Sequence, residues 1–274
     1  MVTHLLEPKP CIGVVLSAGG LRGAAHLGVL RKIIRHHTSI DVMVGVSAGA
    51  IIAAYYAAVG LSVEDMIEEA PTFRGRHILM HGLTLRSHRA LKPLLRRFCG
   101  VIPTRLEQLE SASFTALHHG IQRLGIVCHD IRRRKPRYFS TTDTAGIRLA
   151  DVARASAAVP GVLPSKRMTI GSEEVELADG GLSDSLPVDF IRSPALGATH
   201  VIVSDCRYSA STAARVDDDS LVYIRPDLDG IRPLRAPRAA LMTAVHRGEA
   251  AVTRDALDRI QSWCSVPSRR RWTS

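Results

Sequence analysis

"SIDVMVGVSAGAIIAAYYAAVG", Ser39 to Gly60, joins a β-branched apolar run to an almost wholly apolar second run through a turn of glycine, serine and alanine. The first run predicts a buried strand, because β-branched side chains suit a pleated surface covered on both faces. The second predicts a buried helix, ended by Gly60, which accepts a left-handed backbone. Between them Gly45, Ser47 and Gly49 spell Gly-x-Ser-x-Gly. In a strand-to-helix turn that pattern holds a serine hydroxyl clear of the sheet as a nucleophile. The glycines at 45 and 49 leave room for the tight turn, and the helix N-terminus offers N–H groups to a developing negative charge. The competing reading of the same residues is an ordinary strand-to-helix turn.

Upstream, "CIGVVLSAGG" and "LRGAAHLGVLRKIIRHH" read as a buried strand, a glycine loop and an amphipathic helix. Two consecutive strand–helix units predict an α/β fold, since parallel strands need crossovers and are covered by them. The loop "SAGGLRGAAH", Ser17 to His26, has neither GxGxxG spacing nor the Gly-Lys-Ser/Thr of a P-loop, which argues against a nucleotide. Its other use is to aim backbone N–H groups at a carbonyl oxygen that becomes an oxyanion. Arg22 either steadies this loop, holds an anionic group of a substrate, or is a surface arginine at a helix start.

Downstream, residues 62–113 read as a helical cap broken by Pro71, Gly75, Gly82, Pro93 and Pro103, with Ser62 and Asp65 forming a capping box at its start. Apolar residues such as Leu83 and Leu94 interleave there with Arg86, Lys92 and Arg96. Such a surface either lies on an anionic bilayer or packs inward with solvated arginines. Two strands follow, joined by the basic turn Arg132 to Lys135, then a helix broken at Pro160, a hairpin turning at Gly171 and Ser172, and a buried strand over "THVIVSDC", Thr199 to Cys206. After Asp217 the pattern weakens, and a helix from about Ala239 to Trp263 precedes a basic tail.

The 274 residues, 46% of them hydrophobic, suit one domain over 1–274. Lys plus Arg numbers 36 against 26 for Asp plus Glu, and a net charge of +10 draws anionic surfaces. The basic runs lack interleaved aromatics, so no nucleic acid is expected. No cationic, then apolar leader and no stretch of 18 apolar residues occurs, which predicts a cytoplasmic protein, peripheral at a membrane at most. Five scattered cysteines without a CxxC pair predict reduced thiols. Neither a metal nor any other cofactor is expected, and oligomeric state leaves no mark.

A serine nucleophile needs a base. His200 and His246 follow it in the order a Ser-Asp-His triad would use, but His200 begins a strand and His246 lies on a helix. The alternative is Asp179, at a strand end and followed by Gly180 and Gly181, where its carboxylate would meet Ser47 directly.

Four segments in order, "SAGGLRG", "GVSAG", "ARASAAVPGVLP" and "ADGGLSDSLPV", make the chain resemble the patatin-like phospholipase family. The resemblance spans about Ile12 to Asp205. It implies a three-layer α/β/α sandwich with a mostly parallel sheet, and a serine lipid acyl hydrolase acting through a Ser-Asp dyad and an acyl-serine. Matched by motif, Ser47 is the nucleophile and Asp179 the base. Gly19, Gly20, Leu21 and Arg22 form the oxyanion or substrate segment, Gly45 and Gly49 are the elbow glycines, and Gly180 and Gly181 form the turn after the base. Pro160 matches a proline that ends the helix near the site. An acyltransferase on the same site and a lipid-binding module without turnover are the alternatives. Two positions depart from the pattern: Ala18 replaces a glycine, tolerable where φ is negative, and Asp184 replaces an asparagine, adding a carboxylate near the base.

Overall fold

β1 (Ile12–Leu16) and β2 (Val42–Val46) are buried along every residue and pair in parallel, as their unbroken apolar runs require. The computed structural model describes residues 9–70, 102–142, 146–209, 218–234 and 238–264. Among these, eight strands form one sheet with β1 and β2 at its centre. β7 (His200–Ser204) and then β8 (Leu221–Ile224) continue it in parallel beyond β1, and β3 (Arg123–Asp130) lies parallel beside β2. The antiparallel strands β4 (Lys135–Ser140), β5 (Lys166–Ile170) and β6 (Glu173–Asp179) complete it.

Strand alternation sorts the side chains onto two faces. Val14, Leu16, Met43, Ile126 and Ile202 join the larger core, whereas Val15, Val44, Val46 and Val203 pack with Phe190 and Ile191 of α6 (Val188–Arg192). The larger core is covered by α1 (Ala24–Arg35), α2 (Ala48–Ala53), α3 (Val63–Glu69), α4 (Ile102–Ser111), α5 (Leu149–Ser156), α7 (Arg238–Ala251) and α8 (Arg254–Cys264). Helices on both faces of a mainly parallel sheet make the three-layer α/β/α arrangement. α1 and α7 cross at glycines: a Cβ on Gly28 would collide with the Val245 carbonyl, and one on Gly248 with the Ala25 carbonyl.

The capping box of Ser62 and Asp65 opens α3 as read from the sequence; the β5–β6 hairpin turns at Gly171 and Ser172, and the β3–β4 hairpin turns one residue earlier than read, at Ile131 to Arg134, because Lys135 already pairs with Asp130. The apolar helix ends at Gly60 with φ 83°, but its second half, Ala54–Val59, widens into π turns. Three readings change. The helix expected to break at Pro160 ends at Ser156, because Pro160 lacks an N–H and restricts the residue before it. The single helix expected from Ala239 to Trp263 is two, separated at Val252 and Thr253, with the Thr253 hydroxyl accepting from the Ala256 N–H. β8, at the sheet edge, was not expected at all. Most of the cap, residues 71–101, and the basic tail lie outside the described residues, and Cys99 with them. The other four cysteines are free thiols. Among the described residues no helix is long and apolar enough to cross a membrane.

Candidate active site

The strand register explains how residues 132 apart in sequence meet. Val46, the last residue of β2, pairs with Val127 of β3, and Asp179, the last of β6, pairs with the next residue, Cys128. β4 occupies the opposite edge of β3, so β2 and β6 approach head to head along one edge. Ser47 leaves the first strand where Asp179 ends the other. Ser47 itself has φ 54° and ψ −120°, a conformation that costs a non-glycine residue on the order of 1–3 kcal/mol. Its neighbours hold it there. A Cβ on Gly45 would strike the Gly49 carbonyl, and one on Gly49 the Leu16 carbonyl, so the turn closes only with glycines at both places.

The Ser47 hydroxyl donates to Asp179 Oδ2 at 2.6 Å, and the Gly181 N–H donates to Asp179 Oδ1 at 2.8 Å. Both side chains are buried. Burial raises the Asp179 pKa above the ordinary carboxylate value, opposed by these two hydrogen bonds. Asp184 does not act on it. Its Oδ2 accepts from the Tyr138 hydroxyl at 3.0 Å, and its own pKa is raised, chiefly by burial. Gly180 is required by space, because a Cβ there would run into the Val127 carbonyl.

Two further buried polar side chains brace the elements around the site, Ser156 at the elbow itself and His26 beneath the glycine loop. The Ser156 hydroxyl donates to the Val127 carbonyl at 2.6 Å and accepts from the Ser47 N–H at 2.9 Å, tying α5 to the elbow and to β3. His26, at the start of α1, places Nε2 3.0 Å from the Ser17 carbonyl and Nδ1 2.7 Å from the Ser204 hydroxyl. A carbonyl can only accept, so Nε2 carries a proton. Burial lowers the ring's pKa to about 4, which leaves Nδ1 without one at neutral pH, accepting from the Ser204 hydroxyl. Sequence reasoning passed over both, although Ser156 lies inside a quoted motif, because neither sits at a turn that betrays a polar task.

The glycine loop is fixed from below. Ala18 lies outside the left-handed region, so its methyl group causes no strain, and its N–H donates to the Ser185 carbonyl at 3.1 Å. Gly20 has φ 57°. Arg22 is buried and neither a surface arginine nor free to hold a substrate anion. Its guanidinium donates to the carbonyls of Cys206 at 3.0 Å, Leu228 at 2.8 Å, Ile231 at 2.9 Å and Arg207 at 3.3 Å. Of the backbone donors, Leu21 N–H reaches the Pro233 carbonyl at 2.7 Å and Arg22 N–H the Gly19 carbonyl at 3.2 Å. Beside this loop and Ser47 lies a cavity of about 230 Å³ lined by Leu21, Leu27, Ile51, Ile52, Leu163 and Leu241 among others.

Neither histidine joins Ser47. His200 stands at the opposite end of the sheet, paired with Ile12, with Nδ1 2.9 Å from the Thr199 hydroxyl and its ring against Trp263. His246 is exposed on α7.

The family model of patatin-like phospholipases matches residues 14–191. The chain belongs to the patatin-like phospholipase family. Among patatin-like relatives, the lysophospholipase nte1 of Aspergillus fumigatus is 27% identical over 233 residues, covering 80% of this chain and 14% of that protein. An NTE family protein of Mycobacterium tuberculosis, Rv2565, is 29% identical over 184 residues, covering 65% of this chain and 27% of its own. The chain thus spans a minor part of these relatives. Among solved structures, VipD from Legionella pneumophila superposes with a TM-score of 0.59 at 15% identity, covering 93% of this chain and 67% of that one. The type III effector protein ExoU gives 0.51 at 14% identity, covering 93% and 54%. At these identities the likeness is one of patatin-like fold.

Proposed function

We propose that this chain is a serine lipid acyl hydrolase that cleaves carboxylic esters through a Ser47–Asp179 dyad and an acyl-serine intermediate. The observation that carries the reading is the 2.6 Å hydrogen bond from the Ser47 hydroxyl to Asp179 Oδ2, set on a strained strand-to-helix turn. Asp179 takes the proton as Ser47 Oγ bonds to the ester carbonyl carbon. The carbonyl oxygen becomes an oxyanion facing the N–H groups of Gly19 and Gly20, since those of Leu21 and Arg22 are already donated within the protein. As the carbon–oxygen bond to the alcohol breaks, Asp179 returns the proton to the leaving oxygen. Water then attacks the acyl-serine as Asp179 accepts its proton, the carbon–Oγ bond breaks to release the carboxylic acid, and Asp179 returns the proton to Ser47 Oγ.

A carboxylate is a modest base, so positioning and oxyanion stabilisation must supply much of the acceleration, each oxyanion donor being worth about 3 kcal/mol by analogy. The apolar cavity beside Ser47 suits an acyl chain, and the family together with a lysophospholipase relative supports a lipid ester as substrate. The test is hydrolysis of medium-chain nitrophenyl esters by the unmodified protein, Ser47→Ala and Asp179→Asn, with folding matched by circular dichroism. Both substitutions should lower kcat by about a thousandfold or more, leaving the fold intact. Turnover retained by Ser47→Ala would overturn the proposal.

A further inference from the structure

Among the described residues, the three most exposed large apolar side chains are Tyr208 (67% exposed), Leu182 (56%) and Leu234 (50%). All three flank one five-residue stretch, Ala18 to Arg22. Leu182 follows Gly181, whose Cβ position would sit 3.1 Å from the Ala18 methyl group. The Tyr208 ring lies with its centroid 5.4 Å from the Arg22 guanidinium carbon. Leu234 follows Pro233, whose carbonyl accepts the Leu21 N–H. Leu234 also lines the cavity beside Ser47, so the rim and the cavity are continuous.

Scattered exposed apolar residues need no explanation, but the three largest exposures gathered around one functional loop do. Leu234, both exposed and lining the cavity, offers a chain entry from the face on which these residues stand. Leucine and tyrosine are side chains that enter the headgroup region of a bilayer readily, the tyrosine hydroxyl staying wet. Arg232, two residues before Leu234, is exposed and has no carboxylate partner among the described residues. The exposed carboxylates nearby, Asp227 and Asp229, stand beside Arg247, whose guanidinium donates to both their backbone carbonyls. The net charge of +10 adds a long-range attraction to acidic lipid.

We propose that Leu182, Tyr208, Leu234 and Arg232 form the surface by which this protein docks on an anionic phospholipid bilayer, delivering substrate to Ser47. The proposal rests on the lipid hydrolase reading, and its test works without turnover. Co-sedimentation with vesicles of phosphatidylcholine and phosphatidylglycerol is measured on the Ser47→Ala protein, alone and with Leu182→Ser plus Tyr208→Ser, or with Arg232→Gln. The paired apolar change should weaken binding at least about tenfold. Arg232→Gln should weaken it about fivefold and flatten its salt dependence. Should the paired variant melt early, Leu182→Trp serves in its place, with tryptophan quenching by brominated lipid beyond that of the parent expected on docking. Equal binding by parent and paired variant, no binding by the parent, or no added quenching would each overturn the assignment. The nitrophenyl ester assay on native Ser47 reports separately on the hydrolase reading.

Discussion

Ser47 and Asp179 are each held against a local preference, the first in its backbone and the second in its charge. Because burial raises the folded pKa of Asp179, the folded chain holds that proton more tightly than the unfolded chain. Stability therefore falls as pH rises from the ordinary carboxylate value through the raised one. Asp179→Asn should melt at a higher temperature than the parent at pH 7 and lose that advantage at pH 3, while hydrolysis is lost at both. In the parent, the acid limb of kcat/KM should lie above the ordinary carboxylate pKa, since the base must be ionised to act. Gly49→Ala has no such compensation: its Cβ meets the Leu16 carbonyl, a backbone atom that cannot step aside, and a loss of about 3 kcal/mol in denaturant unfolding is expected. At this scale the sequence was readable wherever a residue obeys a demand of its own backbone. Gly45, Ser47, Gly49, Asp179 and Gly180 announce themselves that way. Ser156 serves a partner 109 residues distant and nothing local records that bond, while steadying its loop was only one of three roles read for Arg22, because its acceptors lie up to 209 residues away.

Elements were readable in proportion to how much core each one carries. β1, β2, β3 and β7 are long apolar runs, and each appears where its pattern places it. β8 is four residues at an edge with Tyr223 exposed, so its alternation spans too few positions to stand out. The break between α7 and α8 at Val252 and Thr253 involves neither glycine nor proline, and helical spacing continues across it. His26 joins α1 to β7, and its neutral form makes that joint sensitive to acid. The unfolded chain takes up the proton near pH 6.5 and the folded one only near pH 4, so the stabilisation is complete above about pH 6.5 and is lost as pH falls between them. Thermal melting should show this decline in the parent, and His26→Gln should show a lower melting temperature at pH 7 with a shallower decline. The crossing of α1 and α7 at Gly28 and Gly248 is equally specific. Gly248→Ala would push its methyl group into the Ala25 carbonyl, and a loss of about 3 kcal/mol in denaturant unfolding is expected.

For the molecule as a whole, the α/β class followed from two strand–helix units, because a parallel crossover admits few other arrangements. The motifs, which span about Ile12 to Asp205, mark only part of the folded unit. The family match ends at residue 191, yet β7 and β8 extend the sheet beyond it and α7 closes on α1. A chain ending after Leu234, without α7 and α8, should fail to give a cooperative melt, whereas the chain through Cys264 should give one. The crossing at Gly28 also bears on the order in which the protein is made. A chain leaving the ribosome carries Ser47 early and Asp179 much later, but one wall of the cavity beside Ser47, at Leu241, belongs to a helix synthesised later still. Until that helix settles on α1, the nascent chain has its Ser47–Asp179 pair but an unfinished cavity beside it, so site and pair are completed at different moments of synthesis.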